Sequence, residues 1–249
     1  MLILLPPSET KRSGGRGPAL DLGGLALPGL APQRDAVIAA LVALSLSADD
    51  AARVLKLGAT QRDQVAVNAA LRTSPTLPAV DRYTGVLFDA LDAASVGAPA
   101  RRWLARHVLI HSAPFGPVGA LDAIPEYRLG AAASLPGLPA LRRVWAGAVT
   151  AALEESAPSF VLDLRSEAYA ALGPIPSRVS SAYVRVVSEG EDGASRALNH
   201  FNKHAKGALV RTLALQRPRI GSPAAFMRWA DAAGLRVRIG APGELELFA

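Results

Sequence analysis

Basic side chains recur at helical spacing in the last quarter of the chain. Arg196, His200, Lys203, Lys206 and Arg211 follow one another at intervals of three to five residues. Residues three or four apart share one face of a helix, so the pattern predicts a stripe of positive charge. Such a stripe is often only a solvated helix face. It can also bind phosphate groups, each of which adds a salt-dependent increment to the affinity.

The net charge of the chain is concentrated around this stripe. The 249 residues contain 27 Lys and Arg against 21 Asp and Glu, a formal charge of +6. Residues 1–192 hold 18 basic and 18 acidic side chains, whereas residues 193–239, the basic segment, hold nine basic side chains and Asp231 alone. Charge segregated in this way indicates an anionic partner more strongly than charge spread evenly.

Polar side chains also follow two predicted strands. Ser8 and Lys11 come just after the apolar run MLILL, and Asp163 and Glu167 lie where a second apolar run ends. Functional groups gather at such strand ends, although Asp163 can equally form an ion pair with Arg165 at a helix start. The polar cleft candidates for an enzyme acting on a phosphorylated or nucleotide-like molecule are Ser8, Lys11, Tyr83, Asp122, Tyr127, Arg128, Asp163, Glu167 and Lys203.

Several kinds of chemistry are excluded or disfavoured. The chain has no cysteine, which excludes disulfides, thiol nucleophiles and cysteine-ligated metals, and it has no G-x-S-x-G elbow. His107 and His111 fall on a predicted strand, where residues four apart lie about 13 Å from each other. His200 and His204 fit a helical pair, but Lys203 beside them repels a cation. We therefore predict no metal and no cofactor, with iron binding by the second pair as the weaker alternative.

The elements that must position these residues alternate irregularly. The mixture predicts an α+β fold in which short mixed strands are flanked by helices, in a single compact domain over residues 1–249. Strands are predicted at 1–5, 107–111, 159–164, 182–187, 235–239 and 244–248. Helices are predicted at 34–46, 60–72, 83–94, 99–106, 141–152 and 193–216, and two more are predicted to begin at the caps Ser47 and Ser222, the second of them ending at 234. A helical turn is predicted at 166–172 and a turn-rich piece at 112–129.

The apolar run at the start is too short for a membrane span or a signal sequence. Five apolar residues are stopped by Pro6 and Pro7, and no basic residue precedes them. The sequence therefore predicts no membrane partner and a cytoplasmic location.

Several motifs together resemble the YaaA family of peroxide-stress proteins. They lie in order along nearly the whole chain, and their order and spacing carry the resemblance. The motifs are the opening MLILLPPSETK, Tyr83-Thr84-Gly85, Phe115-Gly116-Pro117-Val118 with residues 121–129, Trp145, residues 163–169 and Lys203-His204-Ala205-Lys206-Gly207.

The resemblance implies a compact α+β domain of unusual topology with a helix-hairpin-helix-like element. It implies protection from hydrogen peroxide, with less iron-driven damage, and non-specific binding of double-stranded DNA through a basic cleft. The glycine hairpin maps onto Phe115, Gly116 and Gly119. The basic face maps onto Lys203 and Lys206, and the full set of predicted DNA- or anion-binding residues is Lys11, Arg82, Arg128, Lys203, Lys206 and Arg211.

Two functions remain open on the sequence. The first is a binding protein for duplex DNA; aromatic residues make up only 5% of the chain, which disfavours stacking on single strands. The second is an enzyme with a small phosphate-bearing anion in a basic polar cleft. The chain departs from the family pattern by an added Pro114 and by fewer charges over residues 203–207, and these departures fit a subgroup that takes a small anion.

Overall fold

The computed structural model describes residues 1–189, 195–197 and 199–248, with side chains described at 1–187 and 201–248. The side chains of Arg196 and His200, two members of the predicted stripe, lie outside the described residues. The strands are β1 Leu2–Leu5, β2 Leu77–Pro78, β3 Val108–Ser112, β4 Gly116–Gly119, β5 Ala123–Ile124, β6 Val161–Asp163, β7 Ser181–Glu189, β8 Ser195–Ala197, β9 Val237–Ile239 and β10 Glu244–Phe248.

Helices cover both the long connection after β1 and the later crossovers. Two short 3₁₀ turns, at Pro28–Leu30 and Ala59–Gln61, accompany them. The α-helices are α1 Ala31–Leu44, α2 Ala48–Val54, α3 Asp63–Ala69, α4 Ala79–Arg82, α5 Val86–Leu91, α6 Ala98–His107, α7 Leu141–Glu155, α8 Glu167–Ala170, α9 Asn199–Gln216 and α10 Pro223–Ala232.

One mixed sheet forms the centre of the fold, in the order β4-β3-β1-β6-β7-β10-β9, with β8 added beside β7. The neighbours from β3 to β10 along this order are parallel, and β4, β8 and β9 are antiparallel to their partners. Strands β1, β3 and β6 are buried on both faces, which explains why they appear as continuous apolar runs. The α+β class and the single compact domain are confirmed.

The order in which the chain adds parallel strands to the sheet changes direction next to β1. From β1 the chain crosses to β3 on one side, and it later passes to β6 on the other side before adding β7 and β10. Numbered by their own order in the chain, the parallel strands follow the arrangement 2-1-3-4-5. Ligands of such sheets bind outside the carboxyl ends of the strands at this switch point, here between β1 and β6.

Several elements begin and end where the local sequence predicts. The Ser47 hydroxyl accepts a hydrogen bond from the Asp50 N–H at the start of α2, and Ser222 accepts one from the Ala225 N–H at the start of α10. Strands β9 and β10 pair as the predicted antiparallel hairpin, with Leu245 opposite Ile239. These are local signals, and tertiary packing does not override them.

Two predicted stretches differ from the structure. Residues 195–197 pair with β7 as strand β8, so the helix predicted at 193–216 begins only at Asn199; residues 193 and 194 lie outside the described residues. The predicted turn-rich piece at 112–129 contains β4, which pairs antiparallel with β3. In both cases hydrogen bonding to a distant strand decides the structure, and helix periodicity and turn residues do not report that pairing.

Helix α9 lies tightly against α5 and alongside β7. Gly207 makes this approach possible, because a Cβ atom there would overlap the Leu87 carbonyl oxygen. The helix therefore carries its basic residues to the parallel sheet rather than holding them away from the core.

Candidate functional site

A cavity of about 970 Å³ opens at the switch point between β1 and β6. Leu4, Asp163 and Tyr183 are neighbours across β1, β6 and β7, and the segments that follow Leu4 and Asp163 turn outward to form the walls. The lining residues come from the loop after β1, the start of α5, the segment after β6, strand β7 and helix α9: Pro6–Thr10, Gly85–Phe88, Leu164, Ser166–Tyr169, Tyr183–Val186, Asn202, Lys203 and Lys206.

Lys206 is the buried cation of this cavity. Its residue is only 4% exposed, and among the described residues it has no hydrogen bond and no ion pair. Its Nζ atom lies 5.5 Å from the centroid of the Tyr183 ring. Burial lowers the pKa of Lys206 to about 8, a change opposed by the Asp163 carboxylate and assisted by the Arg185 charge.

Two further cations lie at the cavity wall. Lys203 is exposed and shares a face of α9 with Lys206, three residues away. Arg185 on β7 makes a two-point contact with Glu244, with Nε–Oε2 and Nη2–Oε1 distances of 2.7 and 2.9 Å. Its Nη1 atom lies 3.2 Å from Glu167 Oε1. These carboxylates, Glu244 first, raise the pKa of Arg185, so this side chain stays charged.

A buried ion pair lies close enough to Lys206 to influence its charge, although neither member lines the cavity. Asp163 accepts hydrogen bonds from Nε and Nη2 of Arg165 at 2.8 and 2.7 Å, and both side chains are nearly inaccessible to water. Arg165 Nη1 donates to the Gly173 carbonyl and to His111 Nδ1, each within 3.0 Å. Because Nδ1 accepts, His111 carries its proton on Nε2, and burial together with Arg165 keeps its pKa well below the usual value.

Two buried polar atoms near the site have no hydrogen-bond partner within the protein. They are His111 Nε2 and the Asn202 side-chain oxygen, Oδ1. Asn202 lines the cavity and stands four residues from Lys206 on α9, so both side chains share one helix face. A buried amide oxygen without a donor is costly in a protein interior, and a polar ligand would satisfy it.

A second lysine, partly buried, lies in the segment that follows β1. The ammonium of Lys11 donates to the carbonyl oxygens of Ser8 at 3.0 Å and Glu9 at 3.3 Å. It also lies 4.1 Å from the centroid of the Tyr127 ring, whose hydroxyl is hydrogen-bonded to Tyr83 at 2.8 Å. Burial, then the Arg128 charge, lowers the pKa of Lys11 to about 7. Lys11 is not one of the residues that line the cavity.

The structure brings part of the predicted site together. Ser8, Glu167, Lys203 and Lys206 line the cavity, and Asp163 lies close enough to influence the charge of Lys206. These residues come from four separate elements, which only the sheet topology could assemble.

Other predicted residues are held elsewhere by internal contacts. Arg82 is fully buried, and its guanidinium donates to the carbonyls of Arg12, Gly14, Pro75 and Ile124. Arg211 binds the carbonyls of Leu91 and Asp92 and the Ser95 hydroxyl. Asp122 accepts from the backbone N–H groups of Gly119 and Ala26, and Arg128 reaches Glu9 at 3.4 Å. The placement of Arg82 corrects the expectation that it flanks an open cleft.

The predicted glycine hairpin is part of the core. Phe115, Gly116 and Gly119 are all buried, and β4 pairs with β3 along this stretch. Gly116 has a φ of +62°, and a Cβ atom there would lie 2.9 Å from the Trp145 ring. The Gly119 N–H is bound by Asp122 at 2.7 Å. The structure therefore places the predicted glycine hairpin inside the core rather than at a surface open to DNA.

The basic segment is divided between two places. Lys203 and Lys206 reach the cavity at the carboxyl ends of the strands, whereas Arg217 and Arg219 line a groove of about 520 Å³ beside Met1, which precedes β1. One continuous run of charge in the sequence thus serves two different surfaces.

The sequence analysis did not name three polar residues of the cavity, which are Tyr183, Arg185 and Asn202. The alternation of Tyr183 and Arg185 with buried valines on β7 was a usable signal, because side chains two apart on a strand share a face. Asn202 precedes Lys203 and stands one turn before Lys206. Neutral polar residues carry no charge signal, and their role depends on burial.

The described residues contain no cluster of three or more histidine, cysteine or acidic side chains that could hold a metal ion. His107 Nδ1 donates to the Met1 carbonyl oxygen at 3.0 Å, and His204 is exposed. In the part of the chain that the structure describes, no helix has the length and apolar character to cross a membrane.

The fold and the cavity define an α+β protein whose polar site lies at the switch point of a parallel sheet. Residues 1–238 match the model of the family described as peroxide stress protein YaaA. The chain belongs to this family, as its motifs indicated.

Relatives of similar length share much of the sequence. A UPF0246 protein of Corynebacterium glutamicum is 44% identical over 241 residues, which are 95% of this chain and 94% of the relative. A UPF0246 protein of Streptomyces coelicolor is 42% identical over 248 residues, covering 98% of this chain and 94% of the relative. A more distant one, from Leptothrix cholodnii, is 30% identical over 57% of this chain and 58% of its own.

Proposed function

We propose that this peroxide-stress family protein binds a small phosphate-bearing anion in the switch-point cavity. The observation that carries the proposal is the convergence of Lys203, Lys206 and Arg185 on one cavity at the carboxyl ends of parallel strands. Two of these cations come from α9 and the third from β7. Sheets with this strand order bind phosphorylated ligands at this place.

The size and depth of the cavity favour a small molecule over a nucleic acid duplex. Its volume of about 970 Å³ falls at the upper end of the range found for small-molecule sites. Lys206 is 4% exposed, so a group that contacts its ammonium must enter the cavity. A phosphoryl group on a small ligand can do so, whereas the backbone of a duplex follows the protein surface.

Calorimetric titration with inorganic phosphate, AMP and a short DNA duplex tests the proposal. We expect AMP or phosphate to bind, and Lys203→Gln to weaken binding by about tenfold, because one charge-assisted contact contributes 1.5–3 kcal/mol. Arg219→Gln is the matched control: it removes one charge from the same basic segment, at the distant groove. Equal losses in both variants, or no binding of either small anion, would contradict a ligand in the cavity.

Non-specific binding of double-stranded DNA, with a cytoplasmic role in limiting iron-driven damage, is the second candidate. The exposed Lys203, Arg217 and Arg219 of the basic segment favour it. A duplex contacting these residues would show a steep decrease in affinity with salt, and Arg219→Gln would weaken it as much as Lys203→Gln. A flat salt dependence would eliminate this candidate.

A further inference from the structure

We infer that Lys206 is a nucleophile that forms an imine with the carbonyl carbon of a phosphorylated aldehyde or ketone. The inference rests on the proposed function for the phosphate position and adds the chemical class of the substrate. It assigns different tasks to the two lysines of α9. The exposed Lys203 holds the phosphate, and the buried Lys206 reacts.

The contacts of Lys206 support this assignment. A buried lysine with a structural role satisfies its donors, as Lys11 does with two carbonyl oxygens. Lys206 is almost fully buried, lines the cavity and has no hydrogen bond or ion pair among the described residues. Its amine therefore faces ligand space with its bonding capacity unused, which is the arrangement that reactive lysines require.

The charges that face Lys206 keep part of it in the reactive form. Asp163 on β6 favours the ammonium, and its carboxylate is already bound by Arg165, while Arg185 on β7 opposes the ammonium. Burial is the largest influence and lowers the pKa to about 8. At pH 7 roughly a tenth of the side chain is then a free amine, far more than for a lysine with the ordinary value.

The reaction is balanced without any further reactant. The lone pair of Nζ attacks the carbonyl carbon, and the proton lost by nitrogen passes to the carbonyl oxygen, which gives a carbinolamine. Its hydroxyl group leaves with a second nitrogen proton as water, and a carbon–nitrogen double bond forms. The unpaired oxygen of Asn202, one helical turn from Lys206, is placed on the same face to accept a hydrogen bond from that hydroxyl.

Reductive trapping tests the inference directly. The protein is incubated with glyceraldehyde 3-phosphate and sodium cyanoborohydride, and the modified residue is located by peptide mass spectrometry. The chain has only four lysines, Lys11, Lys56, Lys203 and Lys206, so each can be quantified in one digest. We expect modification at Lys206 to exceed that at Lys56 at least tenfold at pH 7.

Variants and pH separate a reactive lysine from a merely accessible one. Lys206→Arg is expected to abolish the dominant adduct while retaining the circular dichroism spectrum, whereas Lys56→Arg leaves the adduct unchanged. The rate of trapping should reach half of its maximum near pH 8, because it follows the free amine. Equal modification of Lys56 and Lys206, or a rate that rises steadily to pH 10, would overturn the inference.

Unphosphorylated glyceraldehyde distinguishes this inference from the proposed function. If it traps Lys206 as fast as the phosphorylated aldehyde, the nucleophile stands and the phosphate site fails. If phosphate binds calorimetrically but neither aldehyde is trapped at Lys206, the proposed function stands and the inference is wrong.

Discussion

Two lysines, the partly buried Lys11 after β1 and the buried Lys206 on α9, differ in how their ammonium groups are bonded. Lys11 and Lys206 both have pKa values lowered mainly by burial, to about 7 and about 8. Lys11 donates to two carbonyl oxygens and lies over an aromatic ring. Lys206 lines a cavity and has no hydrogen-bond partner among the described residues.

The difference shows that burial by itself does not mark a functional lysine. The contacts of Lys11 close the loop at Ser8 and Glu9 and leave little capacity for a ligand. Lys206 costs stability in the absence of a ligand, because most of its side chain is withdrawn from water and burial disfavours its charge. A perturbed pKa is common to both, and only the unused bonding capacity separates them.

The largest expected effect concerns the buried ion pair of Asp163 and Arg165. Arg165→Ala should lower the free energy of unfolding by about 3–5 kcal/mol, because it leaves the Asp163 carboxylate buried and unpaired. Urea denaturation measures the loss. Arg185→Ala is the matched control, since its ion pairs are partly exposed and should contribute only about 1 kcal/mol. Similar losses in both variants would mean that the Asp163–Arg165 pair is not protected from water.

Replacing Lys206 itself should stabilise the protein. Lys206→Met is expected to raise the free energy of unfolding by about 1–3 kcal/mol at pH 7, because it removes an ammonium group that burial disfavours, and to weaken phosphate binding. Below pH 8 the lysine is charged in both states, so the cost of burial is fully present. Between pH 8 and 10.5 the folded state loses the proton first, and the wild-type protein gains stability as pH rises.

The advantage of Lys206→Met should therefore shrink across that pH range, which parallel urea titrations at several pH values would measure. Groups that titrate equally in both proteins cancel in the difference. A variant less stable than the wild-type protein at pH 7 would show that Lys206 makes a stabilising contact, and the comparison with Lys11 would fail.

Replacing Lys11 should have the opposite sign. Lys11→Met is expected to lower the free energy of unfolding by about 1–2 kcal/mol, because two hydrogen bonds to carbonyl oxygens are lost. The phosphate affinity should stay within about twofold of the wild-type value, since Lys11 does not line the cavity. Calorimetry of the same sample checks both numbers, and a large loss of affinity would place Lys11 in the site.

The smallest effect concerns the tyrosine pair behind Lys11. Tyr83→Phe should cost about 1 kcal/mol, because the buried Tyr127 hydroxyl loses its partner. The double variant Tyr83→Phe, Tyr127→Phe should cost no more than the single one, since both polar groups are then gone. Additive losses would indicate that each hydroxyl has a separate role.

Local patterns predicted much of the fold. The caps Ser47 and Ser222 and the hairpin of β9 and β10 follow from neighbouring residues, and the structure confirms them. Strand β4 and strand β8 were missed, because each exists through pairing with a distant partner. Helix periodicity and turn residues do not report such pairing.

The site was predictable where charge and spacing agreed. Lys203 and Lys206, three apart on a helix, were predicted to bind an anion, which stays a proposal, and the structure places both in one cavity. Arg82 was assigned to the same cleft and is instead buried, with its guanidinium bound to backbone carbonyls. The number of charges in a sequence cannot distinguish a side chain that faces a ligand from one that binds backbone carbonyls, because an arginine has enough N–H donors to bind several carbonyl oxygens of a loop.

The sequence by itself determined the family, the α+β class, the absence of cysteine chemistry and the concentration of charge in one segment. These properties depend on composition, order and local spacing. Only the tertiary structure decided that Lys206 is buried and that Arg217 and Arg219 lie at another groove. It also decided that the switch point of the sheet lies between β1 and β6. Burial and unused bonding capacity arise between elements far apart in the chain, so no local pattern encodes them.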